Sequence, residues 1–255
     1  MHRTSILCLL VLAILILIIS DDVQSAEGDQ FLDGIGETAL IARYLFNGNV
    51  EDRSRNSYHA ALHGQQAAFV DDEQFGKVLS LPGGTNGAYV QIPGPALIDI
   101  ENLSVTGWIY IRDASPWQRF FDLGQGTDSY LYCTPVGEER SSGCRVRMTA
   151  GGYGQEMGPA AFRVSEGKWV HLATVLDAAK KTLSLYVNCV RVGQSTDVPW
   201  SLAEILNHDN PAANMLYIGK SLFEGDAYFG GRIHDVRFYS IALTDAQVAV
   251  IHHNA

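Results

Sequence analysis

Positive charge is scarce in this chain and nowhere gathered. Lysine and arginine number 18 against 28 aspartates and glutamates, a formal net charge of −10. Phosphate backbones are held by dense Lys/Arg surfaces, so this composition argues against a nucleic-acid partner. Charge of either sign is modest at 18%, while apolar residues reach 47%, which argues against disorder and supplies a sizeable core. No segment repeats with a period of a few tens of residues, and no low-complexity linker divides the chain, so one main domain is the economical reading.

Catalytic signatures are missing too. There is no Gly-x-Ser-x-Gly elbow. His59-Ala-Ala-Leu-His63 has the spacing of a zinc helix but no general-base Glu, and it lies in strand-like sequence, where residues four apart are about 13 Å away. Ile218–Ser221 (IGKS) resembles the end of a phosphate loop, yet Asn214 stands where its first glycine belongs and no helix pattern follows. The Glu-x-Asp-x-x-Glu pattern of jelly-roll glucanases is absent, and the acids fall singly or in loop-like runs such as Asp71-Asp72-Glu73, Glu138-Glu139 and Glu224 with Asp226. The expectation is a protein without catalysis, a divergent polysaccharide-cleaving enzyme being the lesser alternative.

Cysteine is sparse, with four in 255 residues. Cys8 lies within the one long apolar run, the 14 residues from Ile6 to Ile19 behind His2 and Arg3. That run is shorter than the roughly 20 residues of a spanning helix and suits a signal-peptide core. Residues 1–26 therefore read as a signal peptide, with an uncleaved membrane anchor as the alternative, and 27–37 as a loose lead-in. The expected location is secreted, extracellular or periplasmic. Removing 1–26 takes away Arg3, Asp21 and Asp22 and leaves 17 basic and 26 acidic residues. Export permits disulfides, and Cys133 and Cys144 bracket the turn-rich TPVGEERSSG, so those two are expected to pair. Cys189 is left over, as a buried free thiol, a turn residue or an intermolecular linker.

What is plentiful is short strand-like sequence. Runs rich in β-branched and aromatic residues alternate with turn formers, predicting thirteen strands between Ala39 and Tyr239. In LSVTGWIYI, Leu103, Val105, Gly107, Ile109 and Ile111 share one face; in KTLSLYVN, Leu183, Leu185 and Val187 do. This period of two marks half-buried antiparallel strands. Helix is limited to Ser201–Leu206 and the end of the chain, where Thr244 and Gln247 form a capping box. So many short strands predict an all-β, two-sheet antiparallel sandwich.

Two groups of residues stand out. Asp52, Ser54 and Asn56 form an oxygen-rich loop suited to a hard cation, although such turns also form without metal. Trp117, Tyr153, Trp200 and Tyr228 are flanked by loops, where aromatic rings either pack at a sandwich rim or stack on sugar rings.

Four segments, ARYLFNGNVEDRSRN, PWQRFFDLGQG, GKWVHLATVLDAAKKTLSLYVN and YIGKSLFEGDAYFGGRIHDVRFYSIALTDAQV, resemble the laminin-G-like, concanavalin-A-like jelly-roll modules of secreted proteins. The likeness runs from Ala39 to Ile251 and makes 38–255 one jelly-roll domain. It implies a non-catalytic, lectin-like module that binds an extracellular glycan or polysaccharide, with Trp117, Tyr153 and Tyr228 as the stacking residues. A separate carbohydrate-active enzyme or surface protein is the partner if the module targets another chain, and a protein adhesion module without a sugar site is the alternative. The resemblance also implies a structural Ca²⁺ on Asp52 and on Asp235 of the last strand. Arg55 in the family's glycine position and His234 in place of a frequent first acid depart from that pattern, as does Asn188-Cys189 where the family has a hairpin turn ending in glycine.

Overall fold

The computed structural model describes residues 39–138 and 143–254. The expected signal peptide and lead-in, and the centre of the 134–143 loop, lie outside the described residues.

Among the described residues, fourteen strands form two antiparallel sheets. The larger one orders β12 (Val190–Ser195), β11 (Thr182–Val187), β10 (Trp169–Asp177), β6 (Leu103–Asp113), β14 (Tyr228–Tyr239), β4 (Gly76–Gly84) and β3 (Ala68–Asp72), with β1 (Leu40–Tyr44) also on β14. The smaller sheet orders β2 (Ala61–His63), β5 (Tyr89–Ile92), β13 (Met215–Ile218), β7 (Phe121–Gly126), β8 (Ser129–Thr134) and β9 (Arg145–Thr149). The alternation read from sequence places the core: Leu103, Val105, Ile109 and Ile111 of β6 and Leu183, Leu185 and Val187 of β11 face Leu216, Ile218, Leu123, Leu131 and Val146 of the other sheet. Gly107 keeps its place on that face because a Cβ there would lie 2.7 Å from the Phe120 ring.

Two expectations change. Strand β6 is not half-buried, since Ser104, Thr106 and Trp108 of its outer face are also covered. The C-terminal helix α2 (Asp245–His253), which follows the short α1 (Leu202–Ile205), lies on this side, with Val248 and Ile251 packed among Leu40, Ala173, Val175, Tyr186 and Tyr239. Its Thr244–Gln247 capping box forms as expected. Strand β3 was not anticipated: AFVDD has two adjacent apolar residues and ends in acids, a composition that suits an edge strand and hides its period. Asp72, read as a loop acid, instead accepts hydrogen bonds from Trp169 Nε1 and Arg232.

Strand β14 explains its own carboxylate. One of its edges is shared, with β4 pairing Tyr228–Ile233 and β1 pairing Val236–Tyr239. Between them, the register against β6 shifts and Asp235 takes φ 47°, a β-bulge in the left-handed region that aspartate tolerates better than most residues. The bulge delivers Asp235 to two guanidiniums. Arg43 Nε donates at 2.7 Å to one carboxylate oxygen and Arg237 donates at 2.7 Å to the other. Burial would raise the Asp235 carboxyl, but Arg237 and Arg43 outweigh it and hold it well below the usual range.

Candidate functional site

The face of the smaller sheet turned away from the core carries a polar and aromatic row set by register. Gln91, Tyr217, Asp122, Tyr132 and Arg147 are cross-strand neighbours on β5, β13, β7, β8 and β9 in turn. Their sequence neighbours Leu216, Ile218, Phe121, Leu123, Leu131 and Cys133 point into the core, as period-two strands require.

Around Tyr132 the surface deepens into a cleft of about 280 Å³ lined by Trp117, Arg119, Tyr132, Glu138, Tyr153, Glu156, Phe223 and Asp226. The β6–β7 connection brings Trp117 and Arg119, strand β8 brings Tyr132, and the β13–β14 connection brings Phe223 and Asp226. Arg119 is the keystone and is almost fully buried. Its guanidinium lies 3.9 Å from the Tyr132 ring centroid, donates to Asp226 at 2.8 Å and to the Trp117 carbonyl at 2.5 Å, and reaches Asp122 at 3.3 Å. Asp226 also accepts from Ser221 Oγ at 2.7 Å. Arginine's planar fork suits this combination of stacking and multiple donation.

Asp122 lies beneath, wholly buried. Leu222 N–H donates to its Oδ2 at 3.0 Å, while Oδ1 has no hydrogen-bond partner. Burial pushes its carboxyl up to about 6, with Arg119 pulling the other way. A fully buried acid cannot touch a ligand in the cleft, so its part is to anchor Arg119.

Trp117 is held at φ 63°, a conformation rarely seen for a bulky side chain. Its amide donates to Val136 O at 3.1 Å, and the Arg145 guanidinium lies 5.1 Å from its ring centroid. Tyr153 is the ring most open to water, 69% exposed, at the rim. Tyr130 OH donates to Glu156, and its ring stacks on Tyr132 at 5.6 Å. Two of the three residues expected to stack on sugar, Trp117 and Tyr153, therefore share this cleft. The third, Tyr228, belongs to a separate cluster with Tyr89 and Tyr217, ring centroids 6.0 and 5.1 Å from Tyr89, over which Lys220 Nζ sits 4.5 Å from the Tyr89 ring. Trp200 packs against the core. Arg119, Tyr132, Phe223 and Asp226 were not anticipated. PWQRFF carried Arg119 in plain view, but its burial arises from contacts with Trp117, Asp122, Tyr132 and Asp226, the last of them 107 positions away.

The expected calcium pair does not form a cation site. Asp52 Oδ1 accepts from the backbone N–H of Arg43 and of Ser54, each at 2.8 Å, and Oδ2 from Ser54 Oγ and Tyr58 N–H, also at 2.8 Å. Asp235 already faces two arginines. A divalent ion there would meet guanidinium charge, so these residues do not fit Ca²⁺. Arg43 makes the connection expected of the metal: its backbone holds Asp52 and its side chain holds Asp235.

Cys133 and Cys144 are buried, unbonded thiols in hydrogen-bond contact, which together with burial raises Cys144 well above the usual thiol range.

The Laminin_G_3 family model, described as the concanavalin A-like lectin/glucanases superfamily, matches residues 83–249. The chain belongs to this superfamily. Among solved structures, Domain 4 of AbnA, a GH43 extracellular arabinanase from Geobacillus stearothermophilus, in complex with arabinotriose, is similar with a TM-score of 0.68 and 22% identity over 83% of this chain and 97% of that one. The botulinum neurotoxin serotype C1 binding domain gives a TM-score of 0.63 at 11% identity, and that of neurotoxin DC in complex with rat synaptotagmin II 0.64 at 12%; each match covers 86% of this chain. This superfamily member spans about half, 52%, of each of those neurotoxin chains. At such identities the likeness is one of fold. No curated protein sequence matches the chain.

Proposed function

We propose that this protein is an exported, non-catalytic glycan-binding module whose site is the cleft of Trp117, Arg119, Tyr132 and Tyr153. The observation that carries this reading is the buried Arg119, stacked on Tyr132 and tied to Asp226 at the floor of an aromatic cleft. Sugars present apolar ring faces and hydroxyl edges, which aromatic rings and fixed polar groups match respectively. The AbnA domain with its arabinotriose and the superfamily membership support the ligand class.

Absence of catalysis is supported by how the acids are engaged. Glycosidases place two carboxylates about 5–9 Å apart around the scissile bond. Here Asp226 serves Arg119 and Ser221, Glu156 accepts from Tyr130, and Asp122 is sealed, so Glu138 of the lining is left without a free carboxylate to pair with. Export is supported by the apolar run of 6–19.

The test is a glycan array that includes arabino-oligosaccharides and ganglioside headgroups, followed by Trp117→Gly. Glycine adopts φ 63° freely, so this variant removes the ring without new backbone strain. Its affinity for the array's best ligand should fall about tenfold, the value of one aromatic contact. A folded protein that binds nothing on the array overturns the proposal in favour of protein adhesion. Release of reducing ends from polysaccharide overturns the non-catalytic part.

A further inference from the structure

Cys189 occupies a conformation that cysteine avoids. It is the second residue of a two-residue hairpin turn closed by Val187 and Val190, with Asn188 at φ 47° and Cys189 at φ 61°. The turn expected for Asn-Gly is kept, strain included. It is also fixed in place: Asn188 N–H donates to His171 O at 2.8 Å, and His171 N–H donates to Asn188 Oδ1 at 3.0 Å.

The last turn of α2 lies against this hairpin. Cys189 Sγ and one ring nitrogen from each of His252 and His253 all lie within 4.8 Å of one another. His252 is wedged between Trp108, ring centroids 5.1 Å apart, and His171, at 5.4 Å, and its buried Nδ1 has no hydrogen-bond partner. The His253 ring stands nearly perpendicular to it at 4.8 Å. Both histidines close the helix at its C-terminus, where the peptide dipoles favour a cation.

We propose that Cys189, His252 and His253 form a binding site for a borderline-soft first-row divalent cation, with Zn²⁺ as the reference ion. One thiolate and two imidazoles are the donors such ions select over Ca²⁺ and Mg²⁺. Bond lengths of about 2.0–2.3 Å place ligand atoms roughly 3.5 Å apart, so the three donors close by about 1 Å on binding. His253 is exposed, and Cys189 and His252 are partly so, which gives the ion a path and the rings room to turn. Binding breaks the Cys189 S–H bond, forms the S–metal bond and releases that proton to solvent. Three protein ligands leave the fourth position to water.

The test uses the whole chain, reduced and stripped with EDTA. Zinc titration calorimetry in two buffers of different ionisation enthalpy should give one ion per chain and about one proton released. Cobalt(II) should produce a thiolate-to-metal charge-transfer band. Cys189→Ser should abolish that band, and both it and His253→Asn should weaken zinc binding by at least about tenfold. Cys189→Gly relieves the positive φ, so it should raise the stability of the metal-free protein while losing the ion. No zinc binding overturns the proposal. So does a charge-transfer band that persists in Cys189→Ser, which would place the ion at Cys133 and Cys144, or an affinity unchanged in both ligand variants.

Discussion

Replacing Asp235 with asparagine removes one charge from the core and little else. Asparagine has nearly the same shape and tolerates the left-handed region as well as aspartate does, so the bulge at φ 47° survives the change. What is lost is the counter-charge to two arginines. Arg43 donates to Asp235 from two nitrogens, at 2.7 and 3.0 Å, and Arg237 from two, with its closest contact at 2.7 Å. The side chains of Asp235 and Arg237 are each 2% exposed and that of Arg43 is 13% exposed. Breaking a buried pair by deleting one partner costs about 3–5 kcal/mol, because the remaining charge stays buried. For a domain of this size that corresponds to a Tm lower by about 6–20 °C.

The assay is urea and thermal unfolding of both proteins, each in calcium and in EDTA. If Arg43 and Arg237 neutralise Asp235, the loss is the same in both solutions and the wild type shows no calcium stabilisation. A metal bound only by the native state would raise the wild-type midpoint and not that of the variant. A loss below about 1 kcal/mol, or calcium stabilisation that vanishes in Asp235→Asn, would refute the arginine clamp. The sign with pH agrees. The folded pKa of Asp235 is depressed, so its contribution is present above the ordinary carboxylate range and is lost only as pH falls far into acid.

Asp122 has the opposite sign. Its folded pKa is raised from 3.8 to about 6, so the stability it contributes is full below pH 4 and is lost as pH rises through about 6, a decline of about 3 kcal/mol. Urea midpoints followed across that window should show the decline in the wild type and a flatter profile in Asp122→Asn; parallel profiles would contradict the assignment. Oxidation should join Cys133 to Cys144, whose thiols already touch. Thiol counting after denaturation of air-oxidised protein lacking residues 1–26, and so Cys8, should then find Cys189 alone, and three free thiols would show that the pair stays reduced.

The fold was legible because β-sandwich cores obey a period of two. Leu103, Val105, Ile109 and Ile111 announce their face in sequence and occupy it in the structure. The capping box at Thr244 and Gln247 is equally local. The burial of Ser104 and Trp108 could not be read in the same way, because their contacts come from the C-terminal segment more than 130 residues further on, Ile241 and Leu243 on Ser104 and His252 of helix α2 on Trp108. The site divides along the same line. Loop-flanked aromatics pointed to Trp117 and Tyr153, while Tyr132 and Arg119 became visible only once the fold stacked one on the other. Arg43 and Arg237 stood in the motifs ARY and VRFY as ordinary strand residues. The sequence marks Asp235 as an acid in an apolar strand, and only the fold shows that arginines are its counter-ions.

Three non-glycine residues of consequence, Trp117, Cys189 and Asp235, take positive φ, at a cost of order 1 kcal/mol or more each. Strain of this kind gathers at functional sites, yet Asp235 shows that it need not report function: there the bulge serves two arginines in the core. The difference lies in what the strained residue faces. Asp235 faces donors that satisfy it completely, and nothing is left over to bind a ligand. Trp117 faces an open cleft with a buried guanidinium at its floor, and Cys189 faces two imidazoles, one with a buried nitrogen that nothing satisfies. At Trp117 the strain holds a ring at an open cleft, and at Cys189 it holds a thiol beside an imidazole whose nitrogen lacks a partner, the arrangement expected where the missing partner is a ligand.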